Sequence, residues 1–138
     1  MSGTGATPAF RVQQRQQDTA VVLEVAGEVD TTTAPLLFEA VVQALASGPA
    51  ILVLDLGAVD FIDSAGIAVL AVSLKRAAER KAKLRLVITH PHVHEIFTLT
   101  GLERVFAIYT DAAAACRQEW PGPRYPSWSP PSTLPAYR

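Results

Sequence analysis

A chain of 138 residues, 49% hydrophobic and 18% charged, is long enough to bury one hydrophobic core and too short for two domains of ordinary size. That balance excludes a disordered or coiled-coil chain. The formal net charge of −1 excludes the general basic field that draws a whole domain onto nucleic acid or an anionic membrane.

In chain order, "MSGTGATPAF" has neither the basic head nor the apolar stretch of a secretory signal, and residues 1–9 are expected to form a flexible lead-in. Residues 10–15 and 20–27, rich in Val, Phe and Leu, flank the polar "QQDT" and predict the two strands of a hairpin. "GEVDTTTAP" breaks the pattern. Beyond it Leu37, Val41, Ala44 and Leu45 recur at helical spacing, with Pro35 suited to the first turn and Gly48 to the stop. "ILVLDLG", 51–57, has the apolar character of a central strand covered on both faces. From Ala65 onward, Ile67, Leu70, Ala71, Leu74 and Ala78 form one helical stripe that ends in the charged "KRAAERKAK". "LRLVI", 84–88, is strand again. "PHVHEIFTLTG" starts a helix at Pro91, carries Val93, Ile96 and Phe97 on one side and closes at Gly101. "VFAIY", 105–109, is a last strand and "DAAAACRQEW" a last helix.

Three strand–helix alternations after an opening hairpin predict an α/β domain over residues 10–119. It has a mixed, mostly parallel sheet of about five strands and about four helices. Residues 120–138 hold six of the chain's ten prolines and no apolar period, which reads as a flexible tail of polyproline II character. Its "PRYP" and "PSTLP" segments suit an aromatic groove, against the plainer reading of a disordered extension. The apolar run "SAGIAVLAVSL", 64–74, has about half of the roughly 20 residues a membrane span needs. The single Cys116 allows no intrachain disulfide and fits a reducing compartment. A soluble, cytoplasmic protein is expected.

The chemistry concentrates in "FIDSAGIAVL", 61–70, where Asp63, Ser64 and Gly66 stand between a strand and a helix. In open α/β sheets such carboxyl ends of strands are where function usually sits. On the plain reading Asp63 or Ser64 is an N-cap and Gly66 allows close packing. On the functional reading, a phosphate on Ser64 meets free N–H donors and the positive end of the helix dipole, and is held without unfolding the domain. Its charge of roughly −1.5 to −2 would sit beside Asp63 and, where the fold brings the loops together, near Asp30 and Asp60. A partner docked there would be repelled.

Three stretches in order, "GEVDTTTAP", "LDLGAVDFIDSAGIAVL" and "HVHEIFTLTGLERVFAIY", resemble the STAS-domain anti-sigma factor antagonists of bacteria, over Phe10 to Ala115. The first is similar to the loop that leads into that family's first helix, the second to its phosphoserine strand and helix, and the third to the elements that close the domain. The resemblance implies a STAS-like fold, no catalytic activity and no cofactor. It also implies a partner, an anti-sigma factor that is a serine kinase. The unphosphorylated antagonist would sequester this partner and free sigma; phosphorylation of Ser64 would release it, and a PP2C-type phosphatase would reset the switch. By position, Asp30, Asp63 and Gly66 match the family's site, with Thr31, Thr32 and Thr33 as further partner surface. Ala65 stands where relatives often have a second hydroxyl, so Ser64 is the one residue to modify.

Other readings of single residues compete with this one. A hydrolase elbow needs glycine two residues before the serine, where Ile62 stands, and a base that only His90, His92 or His94 supplies. Those histidines invite a metal, but Pro91 and the helix after it turn them to different sides, which favours a polar first turn. Cys116, on a small-residue face, reads as core. Lys75, Arg76, Arg80, Lys81, Lys83 and Arg85 read as a solvated face rather than a dock for an acidic partner or nucleic acid. A constitutive STAS scaffold or small-ligand module in a signalling or lipid-transport assembly stands as the alternative to the switch.

Overall fold

A computed structural model describes residues 9–120 of the chain. The segment 1–8, and the proline-rich 121–138 with "PRYP" and "PSTLP", lie outside the described residues. In chain order the elements are β1 (Arg11–Gln17), β2 (Ala20–Val29), α1 (Ala34–Ala46), β3 (Ile51–Ile62) and α2 (Ser64–Glu79). They continue with β4 (Lys83–Val87), α3 (Pro91–Thr100), a 3-10 turn (Leu102–Arg104), β5 (Ala107–Tyr109) and α4 (Ala112–Arg117).

The five strands lie in the order β1-β2-β3-β4-β5. β1 and β2 are antiparallel across a tight turn in which Asp18 takes φ 55°, a left-handed conformation that aspartate tolerates. The remaining pairs are parallel. Each crossover steps to the next strand in one direction, so right-handed connections put α1, α2 and α3 on the same face. There Leu37, Val41, Leu70, Val93 and Phe97 pack on Leu23, Leu54 and Leu86 in the main core. α4 covers part of the other face, where Ala115 and Cys116 pack with Val22, Val53, Val87 and Tyr109, and Trp120 rests against this cluster.

The expected elements are present, with differences that have local causes. β3 does not stop at Gly57 but runs to Ile62. Two register irregularities against β2 insert extra residues, so the buried positions pass from Leu52, Leu54 and Leu56 to Val59 and Ile62. Bulges of this kind break the period-2 pattern while the strand continues. β4 pairs with β3 only as far as Asp55, so the last seven residues of β3 project past it. The α2 stripe is also rotated: Gly66, Leu70, Ser73 and Ala77 are buried, whereas Ala71 and Ala78 are exposed. Val105 is exposed and β5 begins at Ala107.

Arg85 corrects the solvated-face reading. It is 3% exposed, donates from Nη1 to the Ala115 carbonyl at 2.9 Å, lies 5.5 Å from the Tyr109 ring centroid and meets Glu119 at 3.5 Å. It ties α4 and the segment after it to β4, while Lys75, Arg80 and Lys81 are exposed.

Candidate functional site: the paired helix starts beside Ser64

Val29 and Ile62 are the last register partners of β2 and β3, so Asp30 and Asp63 follow them side by side at the ends of adjacent parallel strands. The Asp63 amide donates to the Val29 carbonyl at 3.1 Å, which locks the two exits together. Asp63 caps α2, and Asp30 holds the turn of Thr31 to Thr33 that leads into α1. Asp30 Oδ1 accepts from the amides of Thr32 at 2.9 Å and Thr33 at 3.0 Å. The Thr33 hydroxyl accepts from the Asp30 amide and donates to the Glu28 carbonyl. Asp63 Oδ1 accepts from the amides of Ala65 at 2.9 Å and Gly66 at 3.1 Å, a side-chain N-cap.

Ser64 is the first residue of α2 and is exposed. Its hydroxyl makes no hydrogen bond among the described residues. Gly66 behind it is buried. A Cβ there would meet Ile62 Cγ1 at 2.6 Å, Val29 Cγ1 at 2.8 Å and the Val29 carbonyl oxygen at 2.9 Å, closer than real contacts allow. Glycine is what lets α2 begin directly on the strand ends and present Ser64 outward.

The structure corrects one expectation about this helix start. The Ala65 and Gly66 amides are already taken by Asp63, so a phosphate on Ser64 does not enter a cradle of free donors; it stands next to a carboxylate. Hydrogen bonds from the Thr33 and Thr32 amides hold the Asp30 carboxyl below the usual range, so it carries charge under physiological conditions. Asp60 lies within β3 as the extra residue of the second irregularity, and its Oδ1 is shut from solvent without a partner. Thr31 and Thr32 are exposed, whereas the Thr33 hydroxyl is committed to the turn. The helix starts therefore bring together Asp30, Thr31, Thr32, Asp63, Ser64 and Ala65, with Thr33 and Gly66 in supporting places.

The other singled-out residues lie elsewhere. His90 caps α3, its Nδ1 accepting from the His92 amide at 3.2 Å, and His94 sits 3.4 Å from the Thr98 hydroxyl. Among the described residues, no three His, Cys, Asp or Glu side chains are grouped to hold a metal. Cys116 is buried, and burial pushes its thiol pKa up, the opposite of an activated cysteine. No described helix is long and apolar enough to cross a membrane.

Sequence reasoning missed a trough of about 440 Å³ that opens between α1 and α2 and starts at Thr31 and Ala65. Its walls include Ala34, Pro35 and Phe38 of α1 and Ala68, Val69 and Val72 of α2. The available signal was apolar residues in excess of one helix face, notably Val72, 49% exposed.

A five-stranded mixed sheet with α1, α2 and α3 on one face and α4 on the other, and an exposed serine at the start of the second helix, matches a known class of small α/β domain. Residues 11–115 match the STAS domain family. The anti-sigma-F factor antagonist RsfB of Mycobacterium tuberculosis is 30% identical over 105 residues, covering 76% of this chain and 85% of that protein. An anti-sigma-B factor antagonist of Listeria monocytogenes is 30% identical over 100 residues, covering 72% and 87%. The crystal structure of an anti-sigma factor antagonist from Mycobacterium paratuberculosis superposes with a TM-score of 0.72 at 30% identity, over 78% of this chain and 92% of that one. This chain belongs to the STAS domain family and, within it, to the anti-sigma factor antagonists.

Proposed function

We propose that the protein is a phosphorylation-switched anti-sigma factor antagonist. Unphosphorylated, it binds an anti-sigma factor that is also a serine kinase and so frees a sigma factor. The kinase transfers the γ-phosphoryl of its ATP to Ser64 Oγ: an O–P bond forms, ADP leaves, and the hydroxyl proton passes to the kinase or solvent. The antagonist then dissociates, and a PP2C-type phosphatase hydrolyses the phosphoserine to reset it. The protein itself is binding partner and substrate, with no catalytic residue of its own.

The observation that supports this reading is the exposed, unbonded Ser64 hydroxyl directly after the Asp63 cap, on the strand end next to the one that carries the charged Asp30. With the Ala65 and Gly66 amides already satisfied by Asp63, the added charge of roughly −1.5 to −2 is only partly offset at the helix start. It acts outward on whatever is docked, through like-charge repulsion and the cost of desolvating a dianion.

The test is incubation with kinase-type anti-sigma factors of the same genome and ATP, followed by intact-mass measurement. One phosphate is expected, and none in Ser64→Ala. Ser64→Ala should still bind the kinase and Ser64→Glu should bind poorly. Equal binding by the two variants would overturn the switch in favour of a constitutive scaffold.

A further inference from the structure

We propose that the trough between α1 and α2 is the anchor site for an amphipathic helix of the anti-sigma factor, one whose apolar stripe ends in acidic side chains. This rests on the function proposed above and adds the surface and chemistry of the contact. The trough begins at Thr31 and Ala65, the residues directly after Asp30 and Ser64. A segment lying in it has one end against the hydroxyl that is modified, so charge on Ser64 reaches the occupant directly.

The lining argues for a protein segment over a small molecule. Thr31 is the one lining residue with a polar side chain, whereas small-molecule sites place several polar groups to fix orientation. An apolar helix needs none, because its backbone groups are satisfied internally and its i, i+3, i+4, i+7 side chains fill the groove. Ala34, Ala65 and Ala68 leave room for close approach, and Pro35, Phe38 and Val72 supply apolar area. From Ala65 to Val72 the trough is roughly 10 Å long at the helical rise. It is far smaller than the ~800 Å² per partner of a standard interface, so it anchors a larger contact that takes in the Ser64 loop. A second copy of this chain seated there would cover Ser64, which has to stay open to the kinase.

Charge sets the direction of the occupant. At the far end Arg76 lies 5.7 Å over the Phe38 ring, and Lys75 and Arg80 are exposed on the same helix. Glu79 offsets Arg76 in part, at 3.8 Å. By helical spacing Lys75 and Arg76 follow Val72 at i+3 and i+4, continuing the α2 wall. The near end is acidic, with Asp30 and Asp63. An occupant with its acidic end toward Lys75, Arg76 and Arg80 meets opposite charge there and keeps that end away from Asp30 and Asp63, whereas the reverse orientation sets its acidic end against them.

The probe is the kinase-type anti-sigma factor that phosphorylates Ser64 in the assay above, its affinity measured by calorimetry for full-length variants whose folding is checked by circular dichroism. Val72→Asp and Ala68→Arg, at solvent-facing positions, should weaken binding at least about 30-fold. The double variant Lys75→Glu/Arg80→Glu should weaken it about 5- to 10-fold and flatten its salt dependence. Leu99→Asp, on α3 outside the trough and 78% exposed, should stay within about twofold. Wild-type affinity in both trough variants, with binding lost in Ser64→Glu, overturns the trough and leaves the switch standing. A wild-type protein that none of the kinase-type anti-sigma factors of the same genome binds or phosphorylates in that earlier assay overturns both. Sedimentation as a dimer that Val72→Asp turns into a monomer assigns the trough to a second copy and overturns the proposed occupant.

Discussion

Gly66 lies so close to Val29 that a methyl group on its α-carbon would stand 2.9 Å from the Val29 carbonyl oxygen, the same oxygen that accepts the Asp63 amide at 3.1 Å. A backbone oxygen engaged in a strand-exit bond has little room to give. Gly66→Ala should therefore destabilise the domain by about 1–3 kcal/mol, the usual range for overpacking, although alanine is the better helix former by about 1 kcal/mol. Urea unfolding measures the sum. A variant more stable than wild type would show that α2 is not held against Val29 as described.

The Asp63 cap separates shape from charge. Asn caps a helix about as well as Asp, so Asp63→Asn should melt close to wild type, whereas Asp63→Ala should lose about 1 kcal/mol. A phosphate on Ser64 would stand beside the Asp63 carboxylate, so phosphorylation by the proposed kinase should lower the melting temperature of wild type more than that of Asp63→Asn. A phosphorylated wild-type protein that melts higher would mean the phosphate finds donors that Asp63 gives up.

Asp30 makes stability depend on pH in a defined direction. Its carboxyl is held below its ordinary value by hydrogen bonds from the Thr33 and Thr32 amides. The folded state thus binds that proton less readily than the unfolded state, where the aspartate pKa is about 3.9. The stabilisation is complete well above that unfolded value and is lost as the pH falls through the lower folded one. The gap in unfolding free energy between wild type and Asp30→Asn should be constant from neutral pH to about pH 5 and narrow below it. A gap that does not change with pH would show that the charge plays no part.

At Arg85 the burial of the partners decides which contact matters. Glu119 is 79% exposed, and such an ion pair contributes between zero and about 1 kcal/mol. The bond to the Ala115 carbonyl is buried and carries charge, a class that contributes about 1.5–3 kcal/mol. Arg85→Met should cost about that much, and Glu119→Ala less than about 1 kcal/mol. Comparable losses in the two denaturation curves would contradict this ranking.

The elements were legible where period and punctuation agreed. Leu37, Val41, Ala44 and Leu45 marked the buried side of α1, and Gly101 closes α3 at φ 78°. They were illegible where a side chain's role ran against its type. Arg85 is buried because it has a carbonyl to donate to and a ring to lie against. Ser73 and Gly66 occupy the inner side of α2 without an apolar side chain, and Val72 supplies apolar area on its outer side, so the hydrophobic phase was right at Ile67, Leu70 and Leu74 and rotated at Ala71 and Ala78. Of the site, Asp63, Ser64 and Gly66 could be read from their place between strand and helix. The pairing of Asp30 with Asp63 depends on bulges in β3 that set where the two strands end level, and no local pattern in "GAVDFI" announces them.

β3 joins two places that have little to do with each other. At its first residue, Ile51, it shares a small core with Trp120; beyond its last residue stands Ser64, a strand of twelve residues away, or about 40 Å at the strand rise. A dye joined at Glu119, 79% exposed and 3.1 Å from Lys83, which pairs with Ile51, thus sits at the foot of the domain. Fluorescence formats built on that position can monitor engagement at the far tip without standing in its way.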